Sequence, residues 1–533
     1  MKAFAELYAA LDETTKTNAK IAALKRYLES AQPADAAWAV HFLIGRRPKR
    51  LLESRKLAQW AIEETGVPDW LFAECSHAVG DFAETIALLL PPAAASSDLP
   101  LHYWIEERLL PMRTADDETR RAWLLEAWRA MDEAQRFAWN KLLTGEFRVG
   151  VSQSLVVRAI AEASGAAPDK VRHQLMGDWQ PSAEFWRGLL APAPAPASAE
   201  ADISRPYPFC LAYPLEGEVE DLGDVRQWQI EWKWDGIRAQ LIRRAGQTFL
   251  WSRGEELMTG RFPEIQAAGD RLPEGTAIDG EVMPWKSNAP LPFAQMQRRI
   301  GRKVLGPKIL AEVPVVLVAF DLLEAGGRDV RAEPLEWRRA ELERLAPRES
   351  ALVLSPPVEA ASWDELKQLR QESRRRKVEG FMLKRLGSPY RVGRRRGDWW
   401  KWKIEPHSVD AVLIYAQPGS GRRASLFTDY TFGIWDNGQL VPFAKAYSGL
   451  SDEEIREVDS FVRRNTIERF GPVHRVKPEL VFELAFEGIQ RSTRHRSGIA
   501  VRFPRMTRWR RDKKPEEADS IDTIRALLGS GPV

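Results

Sequence analysis

The chain has 533 residues, of which 44% are hydrophobic and 29% charged, with a net charge of +3. That length implies about three domains of 100–200 residues each, and that composition implies soluble globular protein. No apolar run approaches the roughly 18 residues of a membrane span, no signal-peptide core opens the chain, and two cysteines, Cys75 and Cys210, exclude a disulfide framework or a four-cysteine zinc site.

A reducing, cytoplasmic setting is expected. Up to about residue 190 the pattern is helical: Phe4, Leu7, Tyr8 and Leu11 share one face, as do Ile21, Leu24 and Leu28. "APAPAPASAEAD" (191–202) predicts an extended, semi-rigid linker, which places a domain boundary at 191–204. The texture then changes to short strands. Trp228, Ile230 and Trp232 alternate with Gln229, Glu231 and Lys233, the period-two pattern of a half-buried strand, so Glu231 and Lys233 project together from the polar face.

"TAIDGEVMPW" (276–285) and "VVLVAFDLL" (315–323) are strand-like runs closed by turn residues. In "WWKWKI" (399–404), Trp400, Trp402 and Ile404 face one way and Lys401 and Lys403 the other. A third block begins near residue 408. Asn437-Gly438 between strand patterns signals a hairpin. Ser451 with Glu454 forms a capping box that opens a helix Gly471 can end, and "LVFELAF" (480–486) is a further strand. Strands around one helix fit a small barrel of the oligonucleotide-binding type. The expected organisation is therefore multidomain: all-α over 1–190, α+β over 205–407, and a β-barrel over 408–533.

Positive charge concentrates in the second half, in "RRRK" (374–377), "RRR" (394–396) and the run from Arg502 to Lys514. Such clusters interleaved with aromatics suit a phosphate backbone; a solvated face is the bland alternative. Lys233 is followed by Asp235 and Gly236. A lone Lys-x-Asp-Gly arises by chance in roughly one chain in ten of this size and reads equally as an ion pair or a turn. The weight lies in the ordered series of motifs downstream of it: Arg253 in "SRGEE", Asp279 and Glu281 in "DGE", Phe320 in "AFDLL", Glu379 and Lys384 in "VEGFMLKR", Lys401 with Lys403, and finally "RWRRDKKPEEAD" (508–519).

These motifs, spread in order over residues 231–513, resemble those of the ATP-dependent DNA ligases, covalent nucleotidyltransferases with a carboxyl-terminal oligonucleotide-binding (OB-fold) domain. "KLLTGEFRVGVSQSLVVRAIAEASG" (141–165) resembles the helical DNA-binding domain of the replicative-type enzymes, so the likeness covers nearly the whole chain. It implies three phosphoryl transfers: lysine takes AMP from ATP, AMP passes to a DNA 5′-phosphate, and a 3′-hydroxyl displaces AMP. Lys233 would be the nucleophile. An ordinary lysine, with a pKa of about 10.4, is protonated at neutral pH, so the site has to favour the neutral amine by partial desolvation and neighbouring cations.

The same resemblance assigns the other roles. Glu231 would accept the adenine amino group, Arg238 and Arg253 would contact ribose and phosphate, Glu281 would hold the ribose, and Phe320 would stack on adenine. Glu379, with Glu281, would bind Mg²⁺ or Mn²⁺. Arg395, Lys401 and Lys403 would grip the α-phosphate. Arg510, Asp512 and Lys513 match the final Arg-x-Asp-Lys motif, which orients the pyrophosphate. The bland alternatives are core packing for Phe320, a pair with "RRRK" for Glu379, and a solvated face for Arg395. Two departures, Trp234 where tyrosine is common and Gly254 where asparagine is common, touch fine nucleotide contacts and not the reaction.

Rival readings are an RNA ligase, a capping-type nucleotidyltransferase and a non-catalytic nucleic-acid-binding homologue. An NAD-dependent ligase is opposed by the cysteine count. The implied partner is nicked duplex DNA, gripped in part by Arg46, Arg47, Lys49 and Arg50, with the protein a monomer on the nucleoid. No sliding-clamp peptide is recognisable.

Overall fold

The computed structural model describes residues 1–46, 51–92, 96–145, 147, 149–176, 179–190, 203–302, 305–345, 351–419, 426–493 and 495–528. The Ala-Pro stretch 191–202 and the basic residues Arg47, Lys49 and Arg50 lie outside them. Two compact units emerge: residues 16–44 with 151–404, and residues 1–15 and 45–150 with 405–533. No helix among the described residues is long and apolar enough to cross a membrane.

The 16–44/151–404 unit carries two sheets. Its strands are β1 (Trp228–Trp234), β2 (Ile237–Arg244), β3 (Gln247–Ser252), β4 (Thr276–Lys286), β5 (Val315–Ala325), β6 (Leu352–Leu354), β7 (Val378–Arg385) and β8 (Trp399–Lys403). The first sheet runs β6-β5-β4-β2-β3, antiparallel except for β6 beside β5. The second sets Tyr213–Pro214, β8, β7 and β1 side by side, with β7 antiparallel to both β8 and β1.

Each sheet has an apolar outer face. Trp228, Ile230, Trp232, Phe381, Leu383 and Trp400 cluster with Trp363 and Leu366 of helix Trp363–Arg370. Leu241, Ile278, Val282 and Leu317 cluster with Ile265 of helix Pro263–Gly269 and Leu342 of helix Leu335–Leu345. The inner faces meet one another, with Ile242, Ala277, Phe320 and Leu323 of the first sheet packed in one cluster with Trp399 of the second. The polar side of β1 is consequently not a solvent face: Glu231 is 1% exposed, and burial relaxes only at Lys233. Helices Thr17–Ser30, Pro33–Leu43, Gln153–Ser164 and Ala183–Leu190 belong to the same unit and pack on one another.

In the other unit, helix Lys2–Asp12 buries Phe4, Leu7, Tyr8 and Leu11, as the 3.6-residue spacing requires. Tyr8 meets Phe137 of helix Glu133–Thr144 edge-on, with ring centroids 5.2 Å apart. The strands here are β9 (His407–Pro418), β10 (Phe427–Asp436), β11 (Gln439–Ala446), β12 (Thr466–Phe470), β13 (Val473–Val476), β14 (Val481–Phe486) and β15 (Arg505–Trp509). The long strand β9 is central, pairing with β10, β13 and β14, and β14 pairs in turn with β15. Asn437 and Gly438, both at positive φ, close the β10–β11 hairpin.

Helix Asp452–Asn465 carries both halves of the Ser451–Glu454 capping box. It does not run to Gly471. Thr466 already pairs with Val476, and Gly471 at φ +58° turns the β12–β13 hairpin instead.

Candidate active site

The site grows from the inner, polar faces of the two sheets. Alternation along β1 puts Glu231 and Lys233 on that side, and alternation along β8 does the same for Lys401 and Lys403. Behind Lys233 the chain turns at Gly236. A β-carbon there would lie 2.4 Å from the Val282 carbonyl oxygen, so no larger residue fits, and the Gly236 N–H donates to Glu281 Oε1 at 3.2 Å. Gly380 is equally constrained. It has φ +123°, and a β-carbon would lie 2.3 Å from the Trp402 carbonyl oxygen; this is the bulge in β7 that presents Glu379.

A second bulge places Phe320. The β4–β5 pairing runs from Asp279–Asp321 to Gly280–Ala319 and leaves Phe320 unpaired. The ring turns to the inner cluster with Trp399 and Tyr390, away from the core that Leu317, Ala319 and Leu322 fill. Simple continuation of the apolar run into that core is therefore not its environment.

Charge in this cleft is unevenly matched. Lys233 Nζ lies 2.6 Å from Glu379 Oε2, and Lys403 Nζ lies 3.2 Å from the same oxygen. Burial raises the Glu379 carboxyl, but Lys233 and Lys403 outweigh it and hold the group below its ordinary value. Burial lowers the Lys401 ammonium, and the cations Arg394, Lys403 and Lys233 lower it further. Glu281 behaves oppositely: burial pushes its carboxyl up to about 7 although Lys233 and Arg238 pull it down.

Deeper in the cleft, Arg238 makes a forked pair with Asp279, at 3.2 and 2.7 Å, and the Tyr390 hydroxyl donates to Asp279 at 2.5 Å. Its guanidinium lies 5.5 Å from the Phe320 ring centre. Glu231 Oε1 accepts from Gln229 at 2.6 Å and from the buried Lys384 at 2.7 Å, and the Lys384 ammonium lies 4.3 Å from the Phe320 ring centre.

The structure thus gathers Lys233, Glu281, Glu379, Lys401 and Lys403 in one cluster, with Arg238, Phe320 and Glu231 at its inner end. It treats the remaining expected residues differently. Arg253 is exposed, and its contact with the cleft is a backbone N–H donated to the Arg238 carbonyl at 2.9 Å. Arg395 is exposed and lines a cleft of about 770 Å³ with Asp329, Arg331, Arg391 and Arg396. Arg394, its neighbour, is instead one of the cations that act on Lys401. Arg510 and Lys513 stand at the end of β15 and bind Asp410 of β9.

Sequence reasoning assigned no roles to Lys384, Tyr390 and Asp410. Lys384 carried a signal, since it shares the β7 motif with Glu379. Tyr390 and Asp410 carried none, because their partners are far away in the chain.

An amine on a strand, flanked by two carboxylates and further lysines inside a two-sheet cleft, with a strand-rich block after it in the chain, is the layout of a covalent nucleotidyltransferase. Relatives include a probable DNA ligase of Koribacter versatilis, 33% identical over 99% of this chain and 97% of its own, and DNA ligase 1 of Korarchaeum cryptofilum, 32% identical over 76% of this chain and 74% of its own. Three family descriptions match in order: DNA ligase N terminus over 1–175, ATP dependent DNA ligase domain over 211–403, and ATP dependent DNA ligase C terminal region over 423–513. The chain belongs to the ATP-dependent DNA ligase family. Its fold is also similar to the solved structure titled Pmar-Lig_PreS3, with a TM-score of 0.61 and 16% identity over 95% of this chain and 99% of that one.

Proposed function

We propose that Lys233 takes AMP from ATP and that the chain uses this adenylate to seal 5′-phosphate/3′-hydroxyl nicks in duplex DNA. The observation that carries the reading is the cluster around Lys233 Nζ: Glu379 of the adjoining strand β7 at 2.6 Å, with Lys401 and Lys403 on β8 beyond it. The neutral amine attacks the α-phosphorus, the bond to the bridging oxygen breaks, and pyrophosphate leaves. A DNA 5′-phosphate oxygen then displaces the lysine, and the 3′-hydroxyl displaces AMP. Lys401 and Lys403 hold the α-phosphate through these transfers and offset its developing charge. Phe320 and Glu231 serve the purine, Arg238 and Glu281 the ribose, and Arg253 and Arg395 the phosphates.

Glu379 and Glu281 are oxygen donors beside a phosphate-binding cluster, which suits an ion that takes one or two carboxylates and completes its shell with water and substrate phosphate. Among the described residues no group of three such side chains forms a closed cage. Mg²⁺ or Mn²⁺ bound there supplies charge stabilisation at the phosphate. In the chain without nucleotide, Glu379 is paired with Lys233 Nζ.

The division proposed is a helical DNA-binding domain over 1–190, a linker over 191–204, an adenylation domain over 205–407 and an OB-fold domain over 408–533. The protein acts as a monomer on nicked DNA in the cytoplasm. RNA joining, capping and non-catalytic binding are less well supported, because relatives named DNA ligase align over nearly the full length. The test is incubation with α-labelled ATP and denaturing electrophoresis. Lys233→Ala should abolish the labelled adduct and leave nick binding within a few-fold. AMP mapped to another lysine would overturn the assignment.

A further inference from the structure

The two cations proposed to face the pyrophosphate are already engaged on their own barrel. Arg510 Nη1 donates to Asp410 Oδ2 at 2.7 Å, and Lys513 Nζ donates to the same oxygen at 2.6 Å. The rest of the Arg510 fork is taken by Asp512, through Nε at 3.0 Å and Nη2 at 2.8 Å. Two positive and two negative charges therefore close on one another, and the group presents little net charge to a polyanion.

Asp410 is set where it is by the backbone. It lies on β9 opposite Glu483, its N–H donates to Asp519 Oδ2 at 2.8 Å, and its carbonyl accepts from the Asp519 N–H at 2.9 Å. Its side chain is 9% exposed, and Oδ1 makes no hydrogen bond among the described residues. One oxygen thus carries both cations.

We infer that Asp410 is a positioning residue that holds Arg510 and Lys513 against the barrel in competition with the triphosphate of ATP. This rests on the reading that those two residues serve the pyrophosphate. To grip the triphosphate they must leave or share Asp410. ATP is then bound productively only by the fraction of molecules in which they have done so, and its apparent affinity is reduced by that fraction. The same contact works in reverse once pyrophosphate departs. Asp410 regains both partners, which withdraws the motif from the lysyl-AMP just formed and clears it for DNA.

The experiment uses the full chain with Asp410→Asn, which keeps the shape and an acceptor oxygen, and Asp410→Ser should the amide variant fold poorly. Two quantities are measured: the KM for ATP in lysine adenylylation, and the rate of sealing a nick already carrying 5′-AMP. Asp410→Asn should lower the KM for ATP by about 3- to 10-fold, the scale of losing two partly exposed ion pairs. Sealing of the pre-adenylated nick should stay within about twofold, since no pyrophosphate takes part in it. A KM that is unchanged or raised in a variant with wild-type melting overturns the inference. The underlying reading fails separately, if Arg510→Ala and Lys513→Ala leave adenylylation intact.

Discussion

The cleft around Lys233 and the group around Arg510 on the carboxyl-terminal sheet use the same side-chain chemistry to opposite effect. In the cleft, three lysines face Glu379 and a Glu281 whose carboxyl sits near 7, so positive charge exceeds its fixed partners. On the carboxyl-terminal sheet, Arg510 and Lys513 are matched by Asp410 and Asp512, and the hydrogen bonds from Arg510 hold the Asp512 carboxyl well below the usual range. The first arrangement is short of an anion and stays so because rigid strands of two sheets fix every member. The second already contains its anions. On the proposed reading a phosphate completes the cleft, whereas at Arg510 it has to compete with Asp410 and Asp512.

The largest expected effects test that difference directly. Arg510→Ala or Lys513→Ala should slow lysine adenylylation by about 100-fold or more, on the scale of removing a charge-stabilising donor, and spare sealing of a pre-adenylated nick. Lys401→Ala should impair both reactions, because the α-phosphate it is proposed to hold is present in each. Single-turnover assays of the two steps separate these outcomes. Equal loss of both reactions in a folded Arg510 variant would erase the distinction and assign the barrel motif to DNA binding.

A smaller effect probes the rigidity. Gly380→Ala forces a side chain into φ +123° against the Trp402 carbonyl, so the folded protein should lose about 2 kcal/mol or more, and Glu379 should be displaced from Lys233. Asp512→Asn, at an exposed position, should leave the melting temperature nearly unchanged. Thermal melts of the two variants compare them. Comparable losses would mean that the barrel group is built as tightly as the cleft.

Much of the cleft was legible from the sequence, because the charged side chains proposed to do the chemistry obey strand alternation. Trp228, Ile230 and Trp232 mark the outer face of β1, so Lys233 has to point inward. The Ser451–Glu454 box and the Asn437-Gly438 turn were legible for a similar reason: each is a local interaction between residues a few positions apart. Register was not legible. Whether β1 is half-buried or fully enclosed depends on β7 and on the opposing sheet, and Glu231 meets Lys384 only through that pairing. Phe320 leaves the apolar run at a bulge that no local pattern announces. Asp410 looks like any acid in a strand, since its two partners lie 100 and 103 residues further along the chain.

A pH-dependent effect concerns one carboxyl in each region. Glu281 has an ordinary value of 4.5 that burial raises to about 7 in the folded chain. The folded state therefore holds this proton more tightly than the unfolded chain does. Stability from this group is full below about 4.5, declines as pH rises towards 7, and is level above it. Glu281→Gln removes the titration. In nucleotide-free protein, the variant should gain stability relative to wild type between pH 5 and pH 8, by on the order of 1–2 kcal/mol because the side chain keeps some exposure. Asp512 is shifted the other way, by its hydrogen bonds from Arg510, so its contribution is present throughout that window and is lost only as pH falls below the ordinary carboxylate range. Asp512→Asn should therefore give a flat difference from pH 5 to pH 8. Urea melts at several pH values distinguish the two. A flat line for Glu281→Gln would mean that the cleft compensates its carboxyl as fully as the barrel does, and the contrast between the two regions would fail at its most sensitive point.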